Sequence, residues 1–312
     1  MSSVAEPLAE APEALAAQRQ ASLWRDTVKG VLRQRSAIVG GFILGSLALM
    51  AIFAAQISPY GPGDQFIHEG FLQRAGPCIY ALGCPTTHTQ HFFGIDGNFR
   101  DVFTRVVYGA RISLVVGFET VGMAIVIGSL LGAIAGYAGG VLDTVIMRIM
   151  DVFLTFPALL LAIGVVSALG NDLFHAQLAI AVVAIPVYAR IMRASVLSVR
   201  EHDFVTASKA LGERPWSILL RRVMPNSLTP IIVAGTLGIG GAVLDVAALS
   251  FLGLGAGPTV PEWGSMIGFE RNTVFSAPHL LFFPGIALTL TVLAFNLLGD
   301  GVRDALDPRL NQ

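Results

Sequence analysis

Residues 120–142 read TVGMAIVIGSLLGAIAGYAGGVL, a stretch without one charged side chain, bounded by Glu119 and Asp143. A helix rises about 1.5 Å per residue, so about 20 such residues cross the roughly 30 Å hydrocarbon core of a bilayer. Working outward along the chain, residues 36–63 and 152–171 are also charge-free. Residues 173–189 end at Arg190, 223–261 are interrupted only by Asp245, and 272–299 run from Arg271 to Asp300. Six spans are expected, near 37–57, 113–137, 147–169, 177–197, 228–252 and 282–302.

Composition agrees: 54% of residues are hydrophobic and 13% charged, against about 25% charged in soluble domains. A simple water-soluble core is excluded. The net charge of −1 and the lack of a basic block speak against a nucleic-acid partner. Placing both termini in the cytoplasm puts fifteen of the twenty Lys and Arg residues on that side, among them Arg190, Arg193, Arg200, Lys209, Arg214, Arg221 and Arg222. The opposite side keeps five. This is the asymmetry that sets orientation in membranes. The first apolar run follows about 35 residues of tail and is too long for a cleaved signal, so it is read as a span.

The expected organisation is a cytoplasmic tail and interfacial helix (1–36), a first transmembrane helix (37–57), a periplasmic loop (58–110), a five-helix core (111–303) and a C-terminal tail (304–312). Residues 100–111 set Val102, Phe103, Val106 and Val107 against Arg100, Asp101, Arg105 and Arg111, an amphipathic lead into the second span. Residues 198–227 are the second long polar stretch. There 201–211 reads as a helix, Gly212 supplies a left-handed terminator, and 215–223 makes a second short helix stopped by Pro225. The result is a helical hairpin offered to the cytosol, with a small, partly apolar surface suited to a groove on another protein.

That hairpin resembles the coupling loop of binding-protein-dependent ABC importers, Glu-Ala-Ala, three residues, Gly, nine residues, Ile-x-Leu-Pro. Here Thr206-Ala207-Ser208 precedes Gly212, and nine residues later stands Arg222-Val223-Met224-Pro225, so the spacing is kept while Ala207, Gly212 and Pro225 match outright. Further segments resemble the dipeptide and oligopeptide permease family, most closely its C-type subunits. They include 101–111 (DVFTRVVYGAR), 135–140 (AGYAGG), Met147-Arg148 and Asp151, 247–255 (AALSFLGLG), 261–264 (PEWG) and 295–308 (FNLLGDGVRDALDP). In 94–101 (GIDGNFRD), Phe99 stands where the family carries a glycine, which puts the local turn in question.

The resemblance implies an all-α polytopic inner-membrane protein with six spans and the type I ABC importer permease fold. It implies import of dipeptides or short oligopeptides, a heterodimer with a second permease, two cytoplasmic ATPases that bind ATP and Mg, and an external peptide-binding protein. Phe204, Val205, Thr206, Ala207, Ser208, Ala210, Leu211 and Gly212 would then couple to an ATPase cleft. Nickel chelates, haem and longer peptides are alternative cargoes, because related permeases share these signatures. An ion-coupled secondary transporter is the rival class, and it has no use for the hairpin.

The chain carries no catalytic set and no cofactor of its own. A phosphate-binding loop needs Gly-Lys-Ser or Gly-Lys-Thr, and the only lysines, Lys29 and Lys209, follow Val28 and Ser208. Ionisable groups inside a bilayer usually face a cavity or another subunit, which makes Asp245 and Glu119 the candidates for the translocation path. Asp245 is read either as sensing the amino end of a peptide or as bonding a neighbouring helix. Asp143, Arg148 and Asp151 are expected to pair with one another. Pro157, Pro186 and Pro230 permit kinks, and the glycines permit close packing or a wider channel. Cys78 and Cys84 are candidates for a disulfide in the outer loop, and with His88 and His91 they are also a weaker candidate for metal.

Overall fold

The computed structural model describes residues 30–32, 34–67 and 72–306. Most of the tail and interfacial helix, and the end of the C-terminal tail, lie outside the described residues. Among those described, the long elements are all helices: α1 (Arg35–Ile52), α2 (Val102–Ala138), α3 (Gly140–Thr155), α4 (Ala158–Leu169), α5 (Leu173–Val199), α6 (Asp203–Ala210), α7 (Thr229–Phe251), α8 (Trp263–Glu270) and α9 (His279–Leu306). Helices α1, α2, α5, α7 and α9 are each long and apolar enough to span a bilayer.

The third expected span is not one helix. Helices α3 and α4 meet at a 96° bend, which corrects the single span expected over 147–169. Pro157 has no N–H to donate and disfavours helical backbone at the residue before it. Phe156 accordingly sits extended, at φ −84° and ψ 142°. Helix α2 is longer than the second expected span. The amphipathic lead and that span are one helix of 37 residues, capped by Asp101, whose side chain accepts from the Thr104 N–H at 2.6 Å.

Helix α2 packs on α5 through Gly128, Gly132 and Gly136, one residue per helical turn. A Cβ at Gly128 would stand 2.7 Å from the Ile185 carbonyl, and one at Gly136 2.9 Å from that of Arg193. Only glycine lets two backbones approach this closely, the usual device of helix contacts in lipid, where the hydrophobic effect does not drive association.

The end of the bundle opposite the hairpin is tied by polar side chains, all of them buried except Arg74. Arg100 donates to the Pro258 carbonyl at 2.6 Å and to Asp96 at 2.8 Å. Arg105 reaches the carbonyls of Pro258 and Val260 at 3.1 and 3.2 Å, and Arg74 pairs with Glu270 at 2.7 Å. Trp263, fully buried, donates to the Val106 carbonyl at 3.0 Å. Glu262 caps α8 by accepting from the Gly264 and Ser265 N–H groups at 2.8 Å each. Burial pushes its carboxyl up, and these backbone bonds pull it partly back. The connection between α7 and α9 is thereby clamped onto the 58–101 loop.

In that loop Cys78 and Cys84 are disulfide-bonded, and no cluster of three metal-ligating side chains occurs among the described residues. The turn at Phe99 persists without its glycine. Phe99 takes φ +59°, a left-handed conformation that costs a non-glycine residue about 1 kcal/mol. Asp96 holds it by accepting from the N–H groups of Asn98 and Arg100 at 2.8 and 2.9 Å.

Gly132→Ala is expected to lower the stability of the purified complex by about 1–3 kcal/mol, because the new methyl meets Ala189 backbone. Gly122→Ala, on the same helix but facing open space, should change it by less than about 0.5 kcal/mol. Thermal unfolding of the two variants side by side checks the contrast.

Candidate functional site

Two features combine. The first is the hairpin. Helix α6 ends in a Schellman motif: the Gly212 N–H bonds the Lys209 carbonyl at 3.0 Å and the Glu213 N–H bonds that of Ser208 at 3.1 Å. The motif requires left-handed backbone at Gly212, which has φ +75°. The chain then runs helically through 215–226, with a π-turn at Leu219–Val223. Pro225 does not stop it, contrary to the sequence expectation. The helical run ends at Ser227, whose hydroxyl donates to the Val223 carbonyl at 2.9 Å.

The eight hairpin residues singled out by sequence divide into two faces. Phe204, Thr206, Ala207, Ala210, Leu211 and Gly212 are exposed, Leu211 at 87%. Val205 and Ser208 are buried. Val205 packs in one cluster with Ile218, Leu219 and Val223 of the hairpin, Met192 and Val196 of α5, and onward to Tyr188 and Ala242. A continuous apolar core therefore joins the hairpin to the interior of the bundle.

The second feature is at the far end of that core. A cavity of about 280 Å³ opens between α2, α5 and α7, close to the lower end of the roughly 300–1,000 Å³ of small-molecule sites. Its α7 wall is Ala234, Gly238, Gly241, Ala242 and Asp245, a single helical face about 16 Å long. Small residues leave the space and the acid closes one end. Asp245 is half-buried and has no hydrogen-bond or ion-pair partner among the described residues. An uncompensated carboxylate in a span costs about 3 kcal/mol.

Glu119 does not line this cavity. It accepts from Gln177 Nε2 at 3.0 Å, an interhelical bond between α2 and α5. Asp143, Arg148 and Asp151 do not pair with one another either. Asp143 takes both ends of the Arg193 guanidinium, and Asp151 pairs with Arg190 at 2.6 Å. Arg148 has no carboxylate within ion-pair distance among the described residues. The charges expected within one helix instead fasten α3 to α5. Sequence reasoning missed Thr120 and Tyr188 on the cavity wall.

The model of the family described as binding-protein-dependent transport system inner membrane component matches residues 128–312. The chain belongs to this family. The model for the N-terminal TM domain of oligopeptide transport permease C matches residues 22–77 of the permease. It is 45% identical over 290 residues to the dipeptide transport system permease protein DppC of Alkalihalophilus pseudofirmus, covering 93% of this chain and 91% of that one. It is 39% identical over 287 residues to the glutathione transport system permease protein GsiD of Pectobacterium atrosepticum, covering 92% and 91%. Among solved structures it is similar to an inward-facing MetNI methionine ABC transporter, with a TM-score of 0.54 and 21% identity over 66% of this chain and 98% of that chain. That likeness establishes the fold. The permease is a multi-pass inner-membrane component of a bacterial ABC importer.

Val205→Ala should loosen the hairpin by about 1–3 kcal/mol, since the lost methyls sit in a filled core. Hydrogen exchange in the assembled complex is expected to speed up across 203–210 and to stay unchanged in α7.

Proposed function

We propose that this permease carries dipeptides or short oligopeptides into the cytoplasm, driven by ATP hydrolysed on partner subunits. The observation that carries the proposal is the unbroken apolar core running from the exposed hairpin to the cavity wall. The peptide and glutathione names of the relatives support the cargo. The hairpin end is assigned to the cytoplasm, where Arg200, Lys209, Arg214, Arg221 and Arg222 cluster. The 58–110 loop then faces the periplasm.

In this reading Phe204, Thr206, Ala207, Ala210 and Leu211 enter a cleft on one ATPase subunit. Val205 and Ser208 anchor the helix from beneath, and Gly212 fixes the turn. Nucleotide-driven closure of the ATPases pushes on α6, and the core passes the displacement to Tyr188 and α7. The exposed stripe Val141, Val145, Ile149 and Val152 of α3 is left for lipid and for a second permease subunit. A peptide-binding protein delivers cargo at the clamped outer end. Asp245 stands on the translocation path and Glu119 beside it, held to α5.

Gly212→Pro tests the coupling, because proline fixes φ near −65° where Gly212 has +75°. In the reconstituted complex, ATP hydrolysis stimulated by the binding protein should fall about tenfold or more while assembly survives. If the purified chain alone moves peptide down an ion gradient and the variant is unaffected, a secondary transporter replaces this reading.

A further inference from the structure

The outer loop holds a charge-free run of its own. Residues 75–95, between Arg74 and Asp96, contain no Asp, Glu, Lys or Arg. With a quarter of its residues charged, as in soluble domains, a segment of that length would carry about five. The run is as long as those that form the spans, yet its only helical piece is one 3₁₀ turn, Tyr80–Leu82. Irregular backbone does not enter lipid hydrocarbon, because its N–H and C=O groups would go unpaired there. A segment too poor in charge for open water and too irregular for the bilayer core belongs at the boundary between them.

Ring contacts fix its depth. Phe93 stacks on Phe283 of α9 with centroids 3.7 Å apart, and Phe103 of α2 stands edge-on to Phe93 and Phe92 at 5.1 and 5.4 Å. Phe282 closes the ladder against Phe283 at 5.7 Å. Arg303 lies in the last turn of α9, and about 20 residues back from it, the length that crosses the hydrocarbon, Phe283 reaches the far edge. Phe93 and Phe283 pack in one cluster with Leu47 and Ala51 of α1. Both ends of the ladder are open, Phe92 at 41% exposure and Phe282 at 60%, as are Ile52 and Phe53 at the end of α1.

We infer that residues 75–95 rest on the outer leaflet, with Phe92 and Phe282 dipped into its headgroup–acyl boundary as aromatic anchors. Aromatic side chains collect at that depth in membrane proteins, and apolar faces of peripheral segments bury there. The occupant is lipid because the exposed ends of the ladder continue the apolar outer faces of α1 and α9, two spans. The stripe offered to a second permease subunit lies elsewhere, on α3, which Asp143 and Asp151 fasten to α5. No property of the cargo enters this placement.

The test uses the assembled transporter in lipid nanodiscs, with cysteine-free partner subunits and with Cys78 and Cys84 bonded to each other. A nitroxide on Phe92→Cys is compared with one on Gly41→Cys, on the exposed face of α1, and one on Gly63→Cys, early in the loop. A side chain at either glycine meets nothing within 4 Å. Collisions with dissolved oxygen report lipid, and collisions with a water-soluble nickel chelate report water. The oxygen-to-nickel ratio at residue 92 is expected to stand several-fold above that at 63 and close to that at 41. A ratio like that at 63 puts the loop in water, and few collisions with either reagent put a protein on the ladder; each result overturns the placement. Where the labelled variant does not assemble, the unaltered chain answers instead. Arg74 and Arg100 bracket one tryptic peptide, 75–100, and an apolar diazirine dissolved in the bilayer is expected to modify it near Phe92. Modification of α1 and α9 with none in 75–100 overturns the placement too.

Discussion

The contact between α2 and α5 is what the rest of the fold depends on. In lipid two helices gain little by hiding apolar side chains from each other, so their association rests on close van der Waals packing and interhelical hydrogen bonds. Gly128, Gly132 and Gly136 supply the first by letting the α5 backbone approach to contact distance. The Glu119–Gln177 bond supplies the second. Helix α7 lies across both, and a gap remains where its own residues are small. The cavity is that gap, framed by a tight contact rather than by a loose one.

The same packing runs on without a break to the hairpin. A core filled to native density transmits displacement because it has little free volume to absorb it. Val205, Val196, Met192 and Tyr188 are all buried in one cluster, so the floor of the hairpin and the wall of the cavity belong to one packed unit. Tyr188 is the meeting point. Its ring sits in the cluster and its hydroxyl touches the α7 face opposite.

Much of this architecture was legible in the sequence because charge is so costly in a bilayer that its absence marks the spans. The left-handed Gly212 was legible because few other residues tolerate that backbone. The break at Phe156 was harder to read. A proline inside an apolar run kinks some helices and is absorbed by others, as Pro186 within α5 and Pro284 within α9 show. Ion-pair partners were misassigned because proximity along one helix is not proximity in space: Asp143 and Asp151 reach across to Arg193 and Arg190. The cavity wall was invisible for a similar reason, since Thr120 and Tyr188 acquire meaning only once α7 lies against them.

The two ends of the molecule are fastened differently, and the difference bears on how it moves. At the outer end Arg100 and Arg105 are buried and share the Pro258 carbonyl, tying α2 to the α7–α9 connection. Charge-assisted bonds of this kind contribute about 1.5–3 kcal/mol each and are expensive to break unpaired. At the hairpin end Arg190–Asp151 and Arg200–Glu201 lie at the surface of the chain, whereas Arg193–Asp143 is part-buried. Exposed pairs are worth about 0–1 kcal/mol in water and exchange partners readily. The Pro157 break adds a joint within the α3–α4 pair. The end held by buried, charge-assisted ties is the stiffer of the two, and the hairpin end, where exposed pairs exchange partners readily, yields first.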